Sequence, residues 1–480
     1  MKLQELLNGI EIKKGCILNP EIANVTDDSR NVRNSSAFVC VKGNRSDGHD
    51  FARKAIEKGA AVVICDHDIG IKNSVIVENT RKAYALMCAN YYGNCHRDMK
   101  MIGVTGTNGK TTTTFIIKKI LEENGYKVGV IGTVEVLIGN EKYPADYTTP
   151  DPAGLHKYLY MMKMAGCDVC IMETSSQALV QLRTYGINYD IGVFSNLSRE
   201  HLDYHKTMEE YAEAKGILME NSDVCVINAD DSYASVMKKH AKGKVITYAI
   251  DEKADVKAEN VDLNHDGVEY TLTSKGEKYD IVYNVIGRFS VYNSLAALSV
   301  GTVMNVDMKR AVKAVSEMNT VKGRIEKVPN DRQITILIDF AHTPDSLKNV
   351  LKTVNVVYGK RIITVFGCGG DRDKTKRPIM GKIACQYSDL VFITSDNPRT
   401  EDPDSIIDDI VAELDEKDYV RITDRTEAIR AAIVEAKPGD TVLIAGKGHE
   451  NYQILGTEKI HYDEREIVKQ ILDDGANFKK

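Results

Sequence analysis

The segment Gly103-Val104-Thr105-Gly106-Thr107-Asn108-Gly109-Lys110-Thr111-Thr112 constrains this chain more than any other. An apolar run, Met101-Ile102-Gly103-Val104, feeds a glycine-rich turn, and the residues from Lys110 toward Gly125 read as a helix. Such a strand–loop–helix points successive backbone N–H groups and a helix N-terminus at phosphate oxygens. Gly106 and Gly109 let the backbone approach closely, Lys110 brings positive charge to the outer phosphates, and the Thr111 hydroxyl is suited to ligate Mg²⁺. The strict G-x-x-x-x-G-K-[ST] pattern asks for glycine where this chain has Val104, and Gly103 stands one position earlier. A glycine-rich turn without a ligand is the alternative. Lysine, threonine and both flanking elements together favour ATP with Mg²⁺.

A loop of this kind sits at the edge of a parallel sheet, and 480 residues leave room for two to four domains. Three blocks are expected. Residues 1–98 mix short strands at 37–41 and 61–65 with helices near 51–59 and 81–92. Residues 99–325 alternate strand and helix around the glycine loop, with Asp151-Pro152 and the Thr207-Met208-Glu209-Glu210 capping box as helix starts. A short polar–apolar alternation over 254–286, punctuated by Gly267 and Gly276, predicts an antiparallel excursion before a helix near 291–305. Residues 326–480 carry strands at 334–340, 362–366, 390–394 and 442–445, with helix starts at Thr343-Pro344 and Asp402-Pro403. The fold class is α/β in three domains, with a central P-loop-type parallel sheet and a C-terminal Rossmann-like doubly wound sheet.

A net charge of -6 argues against nucleic acid as a partner, so cations that hold an anionic substrate must be local. No run is long enough to span a membrane, and the start lacks the apolar core of a signal peptide; a cytoplasmic chain is expected. Ten scattered cysteines fit a reducing compartment. Cys167 and Cys170 lie in an apolar run without a second pair at zinc spacing, which reads as core.

Three further places can carry chemistry. Glu173 follows the apolar run Cys170-Ile171-Met172, where a carboxylate can serve a magnesium–nucleotide site, although alone it reads as a solvated strand end. Asn196-Leu197-Ser198-Arg199-Glu200-His201-Leu202-Asp203-Tyr204-His205 is dense in acids and histidines, and a helix bearing Lys215 follows; spacing does not separate a metal site from a solvated loop. Ser395-Asp396-Asn397-Pro398-Arg399 follows a strand, at the end where parallel sheets place ligand contacts. Asp, Asn and Pro suit a plain turn, but Arg399 has a planar fork that can pair with a carboxylate.

Taken in order, Gly103–Thr112, Glu173-Thr174-Ser175-Ser176, Asn196–His205 with Lys215, and Asp339-Phe340-Ala341-His342-Thr343-Pro344-Asp345 resemble the Mur ligases, ATP-dependent amino-acid-adding enzymes of peptidoglycan precursor synthesis. Asp28-Ser29-Arg30 and Asp47-Gly48-His49-Asp50-Phe51 extend the resemblance through the first block, although Asn34-Ser35 stands where the family usually has Pro-Gly. The resemblance implies that Ser29 contacts the UDP group, and that Thr148, Thr149, Ser175, Gln181 and Arg183 hold a UDP-MurNAc-L-Ala-D-Glu substrate. It implies ATP contacts at Gly106, Thr107, Asn108, Gly109, Lys110, Thr111, Thr112, Asn293, Arg324, Asp339 and His342, with Lys110, Lys215 and His201 catalytic. Mg²⁺ falls to Thr111, Glu173 and a carbamate on Lys215; a bare ammonium there would repel the cation.

Asp-Asn-Pro-Arg is similar to the motif of the meso-diaminopimelate-adding branch, which implies contacts at Arg372, Asp396, Asn397, Pro398, Arg399, Gly446 and Glu450. Meso-diaminopimelate is lysine with an extra carboxylate, so an arginine has something to grip. The activity implied is amide formation through an acyl phosphate by a cytoplasmic monomer acting on small molecules. A lysine-adding relative and a nucleotide-gated regulatory ATPase are the alternatives.

Overall fold

A computed structural model describes residues 1–15, 18–43, 46–145, 147–318, 320–415 and 418–477; three large sheets succeed one another along them, followed by a two-stranded antiparallel hairpin of Tyr452–Leu455 and Glu458–His461. The first has five strands in the order Ile12–Lys14, Ser74–Val77, Ala60–Cys65, Ser36–Val39, Asn24–Thr26, all parallel except Ile12–Lys14. Helices Ala52–Glu57 and Thr80–Tyr91 complete the βα alternation. Ser35, standing in the family's glycine turn position, takes the left-handed φ of 62° that glycine adopts without strain.

The second sheet holds eleven strands, and the nucleotide-loop strand Lys100–Thr105 lies in its middle. It runs parallel to Val169–Glu173 on one side and Tyr189–Phe194 on the other, with Val104 opposite Glu173 and Thr105 opposite Phe194. Ile102, Val104, Ile171 and Val193 are fully or almost fully buried, as strands covered on both faces require. A one-residue slip would exchange the faces of these side chains, which fixes where the loop begins. Gly103 is a packing position, since a Cβ there would come within 2.7 Å of Leu218 and 3.0 Å of Tyr189. This explains the departure from the strict glycine spacing: the phosphate-facing turn starts at Gly106, after the strand.

Only the middle of this sheet is parallel. Glu135–Ile138 and Glu141–Pro144 form an antiparallel edge, which the sequence reading did not foresee. The expected excursion over 254–286 is Val256–Leu263, Val268–Ser274 and Glu277–Tyr283. It continues the same sheet, because Val256–Leu263 also pairs in parallel with Lys244–Ala249. Helix Arg288–Val303 packs on helix Lys110–Glu123 and is buried on nearly every face. Its hydroxyls survive burial by bonding back one turn, Ser294 to Ser290 O at 2.9 Å and Ser299 to Leu295 O at 2.7 Å.

The third sheet runs in the order Glu326–Val328, Thr335–Asp339, Thr441–Ala445, Ile362–Phe366, Leu390–Ile393, Val420–Arg421, and only the first strand is antiparallel. Helix starts follow the capping rules: Asp151 accepts from Gly154 N at 2.9 Å, Asp402 from Ser405 N at 2.9 Å, and Thr343 shares a capping box with Ser346. At Thr207 the box is half made. Its hydroxyl accepts from Glu210 N at 3.1 Å, but no return bond from the Glu210 side chain occurs among the described residues. Cys167 and Cys170 are buried as core, and nine of the ten cysteines are free thiols; Cys16 lies outside the described residues. Among those residues no helix is long and apolar enough to cross a membrane.

Candidate active site

The turn after Thr105 is built for close approach. Gly106 has a φ of 149° and Gly109 a φ of 85°; a Cβ would meet Ser195 Oγ at 1.9 Å or Asn293 Oδ1 at 2.3 Å. The turn is pinned from the neighbouring strand end: Thr107 N donates to Asn196 O at 2.9 Å, Asn108 N to Asn196 Oδ1 at 2.9 Å, and Ser195 Oγ to Asn108 O at 2.7 Å. No side chain caps helix Lys110–Glu123, so its first-turn amides, including those of Thr111 and the half-buried Thr112, face the turn ready for an anion.

Two lysines converge on one oxygen. Lys110 Nζ donates to Gly106 O at 2.8 Å and Lys215 Nζ to the same atom at 2.9 Å. Burial, and then repulsion from Lys110, lowers the Lys215 ammonium well below its ordinary value. Burial also lowers Lys110, against the pull of Glu173 and Glu200. Lys215 sits on Met208–Glu220, almost wholly buried, with its Nζ 4.5 Å from the Tyr211 ring centroid.

Glu173 ends its strand fully buried and accepts from Thr133 N at 3.0 Å and Thr133 Oγ1 at 2.9 Å. Thr133 also meets Thr148 at 3.0 Å, and Thr149 Oγ1 donates to Glu173 O at 2.8 Å. Thr111 and Glu173 offer oxygen donors, the kind Mg²⁺ takes, and the uncapped first turn offers backbone N–H groups, the kind phosphate oxygens take. The residues therefore fit ATP and Mg²⁺.

Glu200 links the central and third sheets. It accepts from His342 Nε2 at 3.0 Å and lies 3.7 Å from His201 Nε2. Burial raises its carboxyl, but His201, His342 and Lys376 outweigh burial and hold it well below the usual carboxylate range. His201 has a left-handed φ of 57° and is lowered by burial against the opposing charge of Glu200. From the third sheet's side, Asn108 Nδ2 donates to Asp345 at 3.1 Å and Lys376 Nζ to His342 O at 2.8 Å. Arg324 reaches Thr111 Oγ1 at 3.4 Å and lies 4.8 Å over the Phe340 ring; its buried Nε has no hydrogen-bond partner among the described residues. Ile325, next in the chain, holds a left-handed φ of 45°, and its N–H donates to Asp339 Oδ2 at 2.7 Å.

Ser29, Gln181 and Arg183 line one cavity of about 1150 Å³ between the first and second sheets. Arg30, Arg33, Lys54 and Arg81 supply the local positive charge that the acidic chain requires, beside Asp27, Asp28 and Asp151. Arg183 bonds Thr149 O at 2.9 Å and Gln181 Oε1 at 2.7 Å, and Leu182 between them is left-handed at 59°. Ser175 caps helix Ser176–Val180 by accepting from Ala178 N at 3.3 Å, and its N–H bonds Thr149 Oγ1 at 3.0 Å.

The loop after Leu390–Ile393 gathers the remaining candidates. Asn397 donates to Glu450 at 2.9 Å and accepts from Ile454 N at 3.0 Å and Lys447 Nζ at 3.1 Å. Pro398 is buried, and Arg399 follows with a φ of 53°, its Nη1 donating to Gly370 O at 2.7 Å. Arg372 donates to Asp371 O at 3.2 Å. Burial, then repulsion from Arg372, lowers the Arg399 guanidinium. Neither arginine has a carboxylate within ion-pair distance among the described residues, while Asp396 Oδ2 is buried without a hydrogen-bond partner. Gly446 is required beside it, since a Cβ would come within 2.8 Å of that oxygen.

The sequence reading did not assign Thr133, Asp345, Lys376, Arg377, Arg425 or Lys447. Thr133 lies two residues past the carboxyl end of strand Val128–Ile131, and that position was a usable signal. Arg377, fully buried, pairs with Glu401 at 2.9 Å and Asp409 at 2.7 Å and supports Gly369 O; Arg425 pairs with Glu464 at 2.7 Å and supports Ala445 O. Their partners lie 24–39 residues away, beyond any local pattern.

Residues 21–91 match the Mur ligase family catalytic domain, 104–301 the Mur ligase middle domain, and 323–448 the Mur ligase glutamate ligase domain. A UDP-N-acetylmuramoyl-L-alanyl-D-glutamate–2,6-diaminopimelate ligase of Clostridium botulinum is 42% identical over 482 residues, spanning 99% of this chain and 100% of its own. The enzyme of that name from Clostridium perfringens is 45% identical, spanning 98% and 100%. A solved structure of a UDP-N-acetylmuramoyl-L-alanyl-D-glutamate–2,6-diaminopimelate ligase superposes with a TM-score of 0.71 at 33% identity, covering 99% of each chain.

Proposed function

The chain belongs to the Mur ligase family, and on that premise we propose that it joins meso-diaminopimelate to UDP-MurNAc-L-Ala-D-Glu at the expense of ATP. The observation that carries the choice of amine is the pair of the exposed Arg372 and the half-buried Arg399, two cations whose hydrogen bonds among the described residues go to backbone carbonyls. A substrate with a distal carboxylate completes them; lysine leaves them unpaired. Asp396, Asn397 and Glu450 are placed to take the ammonium end, with Gly446 leaving room.

The chemistry follows from leaving groups. A carboxylate cannot expel oxide, so its oxygen first takes the γ-phosphoryl group of ATP. The neutral amine then attacks the acyl carbon, the bond from that carbon to the bridging oxygen breaks so that phosphate leaves with the former carboxylate oxygen, and the surplus proton on nitrogen passes to solvent as the amide forms. Lys110 and the first-turn amides hold the transferring group, so catalysis rests on positioning and charge. Bound Mg²⁺, held by Thr111 and Glu173, supplies further neutralisation of phosphate charge. Asn293, Arg324, Asp339 and His342 close the nucleotide from the far side, and Glu200 keeps His201 and His342 oriented. Ser29 with the cavity cations takes the UDP end, while Thr148, Thr149, Ser175, Gln181 and Arg183 hold the muramoyl dipeptide.

Lys215 is the group suited to carry a carbamate. Burial and Lys110 favour its neutral amine, whose lone pair attacks CO₂ and whose displaced proton leaves to solvent, giving an anionic oxygen ligand. We place the chain in the cytoplasm as a monomer, in keeping with free thiols and small phosphorylated substrates.

The test supplies ATP, Mg²⁺ and UDP-MurNAc-L-Ala-D-Glu and measures phosphate release with meso-diaminopimelate, with lysine and with neither. Release is expected only with meso-diaminopimelate. Equal release with lysine would move the chain to the lysine-adding branch, and release that ignores both amines and the dipeptide would make it a plain ATPase.

A further inference from the structure

The connections that leave two neighbouring parallel strands of the first sheet, Ser36–Val39 and Ala60–Cys65, bring together His49, Asp66 and His67. None of these residues lines the substrate cavity, and the mechanism uses none of them. The side chain of His49 is only 9% exposed. Its Nδ1 stands 2.6 Å from Asp47 Oδ1, which also accepts from the His49 backbone N–H at 3.0 Å. A carboxylate there fixes the proton on Nδ1 and leaves the lone pair on Nε2. That Nε2 is buried and makes no hydrogen bond among the described residues. It faces Asp66 Oδ1 at 3.3 Å without hydrogen-bond geometry. His67 adds a third donor: its Nδ1 is 2.6 Å from the same Asp66 oxygen, and its ring centroid is 4.6 Å from that of His49.

We propose that His49 Nε2, Asp66 and His67 form a binding site for a borderline transition-metal cation, Zn²⁺, distinct from the magnesium of the nucleotide loop. Two imidazoles and one carboxylate suit Zn²⁺, whereas Mg²⁺ takes oxygen ligands. The three ligand atoms lie within 4.8 Å of one another. Tetrahedral bonds of about 2.0–2.2 Å bring such atoms to about 3.3 Å, a closure small enough for the exposed His67 to make by rotamer change. Asp47 then has a defined part, orienting a metal-bound imidazole through its other nitrogen. The cation ties the connection that carries Ser46, Gly48 and Phe51, three residues of the cavity wall, to the connection that begins at Asp66.

The full chain, stripped with chelator and held in excess Mg²⁺ to occupy the oxygen sites, is titrated with Zn²⁺ by calorimetry while its thermal midpoint is followed. A single equivalent is expected, with a rise in midpoint. His67→Ala, at an exposed position, should weaken that binding about 100-fold or more and abolish the rise; Asp47→Asn should weaken it about 10-fold. No Zn²⁺ binding by the unaltered chain in excess Mg²⁺ overturns the proposal. So does an unchanged affinity in both His67→Ala and Asp66→Asn.

Discussion

The nucleotide loop and the amino-acid loop occupy equivalent places, each at the carboxyl end of a parallel strand, yet they are finished in opposite ways. Around Gly106 the polar groups are closed on one another: two lysines share one carbonyl, and Ser195 and Asn196 hold the turn. Around Arg399 one acid oxygen, Asp396 Oδ2, is without a partner, and two guanidiniums bond only to backbone carbonyls among the described residues. The first site recognises by backbone shape, which every ATP-using relative can share. The second, on the function proposed, would recognise by side-chain charge, which meso-diaminopimelate completes and lysine does not.

The contrast is most exposed at Arg399. In Arg399→Ala the preference for meso-diaminopimelate over lysine, read as a ratio of kcat/KM, should fall by about 10⁴, while the KM for ATP stays put. A preserved ratio would remove side-chain charge as the source of selectivity. Lys110→Ala is the opposite case, with kcat expected to drop about 10³-fold by the same factor for any amine the enzyme accepts. Unequal losses for two amines would show that the loops are not separable.

The smallest effect belongs to neither loop and calibrates both. Burial lowers His96 to about 4 and His156 to about 3, from an ordinary 6.5, where the first and second sheets meet. Below pH 6.5 the unfolded chain takes up protons that these folded imidazoles refuse. Their stabilising contribution is therefore complete above pH 6.5 and is lost as pH falls toward 4 and then 3. The thermal midpoint should drop by a few degrees between pH 7 and pH 5, and His156→Gln should flatten part of that slope. Full flattening is not expected, because His205 and His449 are lowered by burial as well.

The same contrast decides what could be read without coordinates. Gly106, Gly109 and Lys110 follow the spacing that phosphate geometry asks for, so the role expected of them could be read from one segment of chain, and the close contacts at both glycines agree with a turn built for backbone approach. Glu173 was visible as a carboxylate ending an apolar run, Asp396 as part of the loop after strand Leu390–Ile393, and Asp339 only through the family resemblance. Glu200 was visible only as part of a dense segment, because its partner His342 lies 142 residues away. Arg377 and Arg425 were invisible for the same reason, and Glu135–Pro144 was missed because a four-residue strand leaves too little periodicity to read. The central sheet was legible as parallel where both faces are buried and as antiparallel over 254–286, and only the opposite edge, at Glu135–Pro144, went unread.

Ile325 gives the third domain a sprung pivot. A β-branched residue at a φ of 45° holds strain of about 1–3 kcal/mol, and here the bond from its N–H to Asp339 keeps it cocked. Arg324 stands directly before it and Asp339 grips it, so both proposed ATP contacts are fastened to the one residue that would recoil. Relaxing that φ would shift Arg324 and Asp339 together, so the geometry of both proposed ATP contacts hangs on a single strained residue.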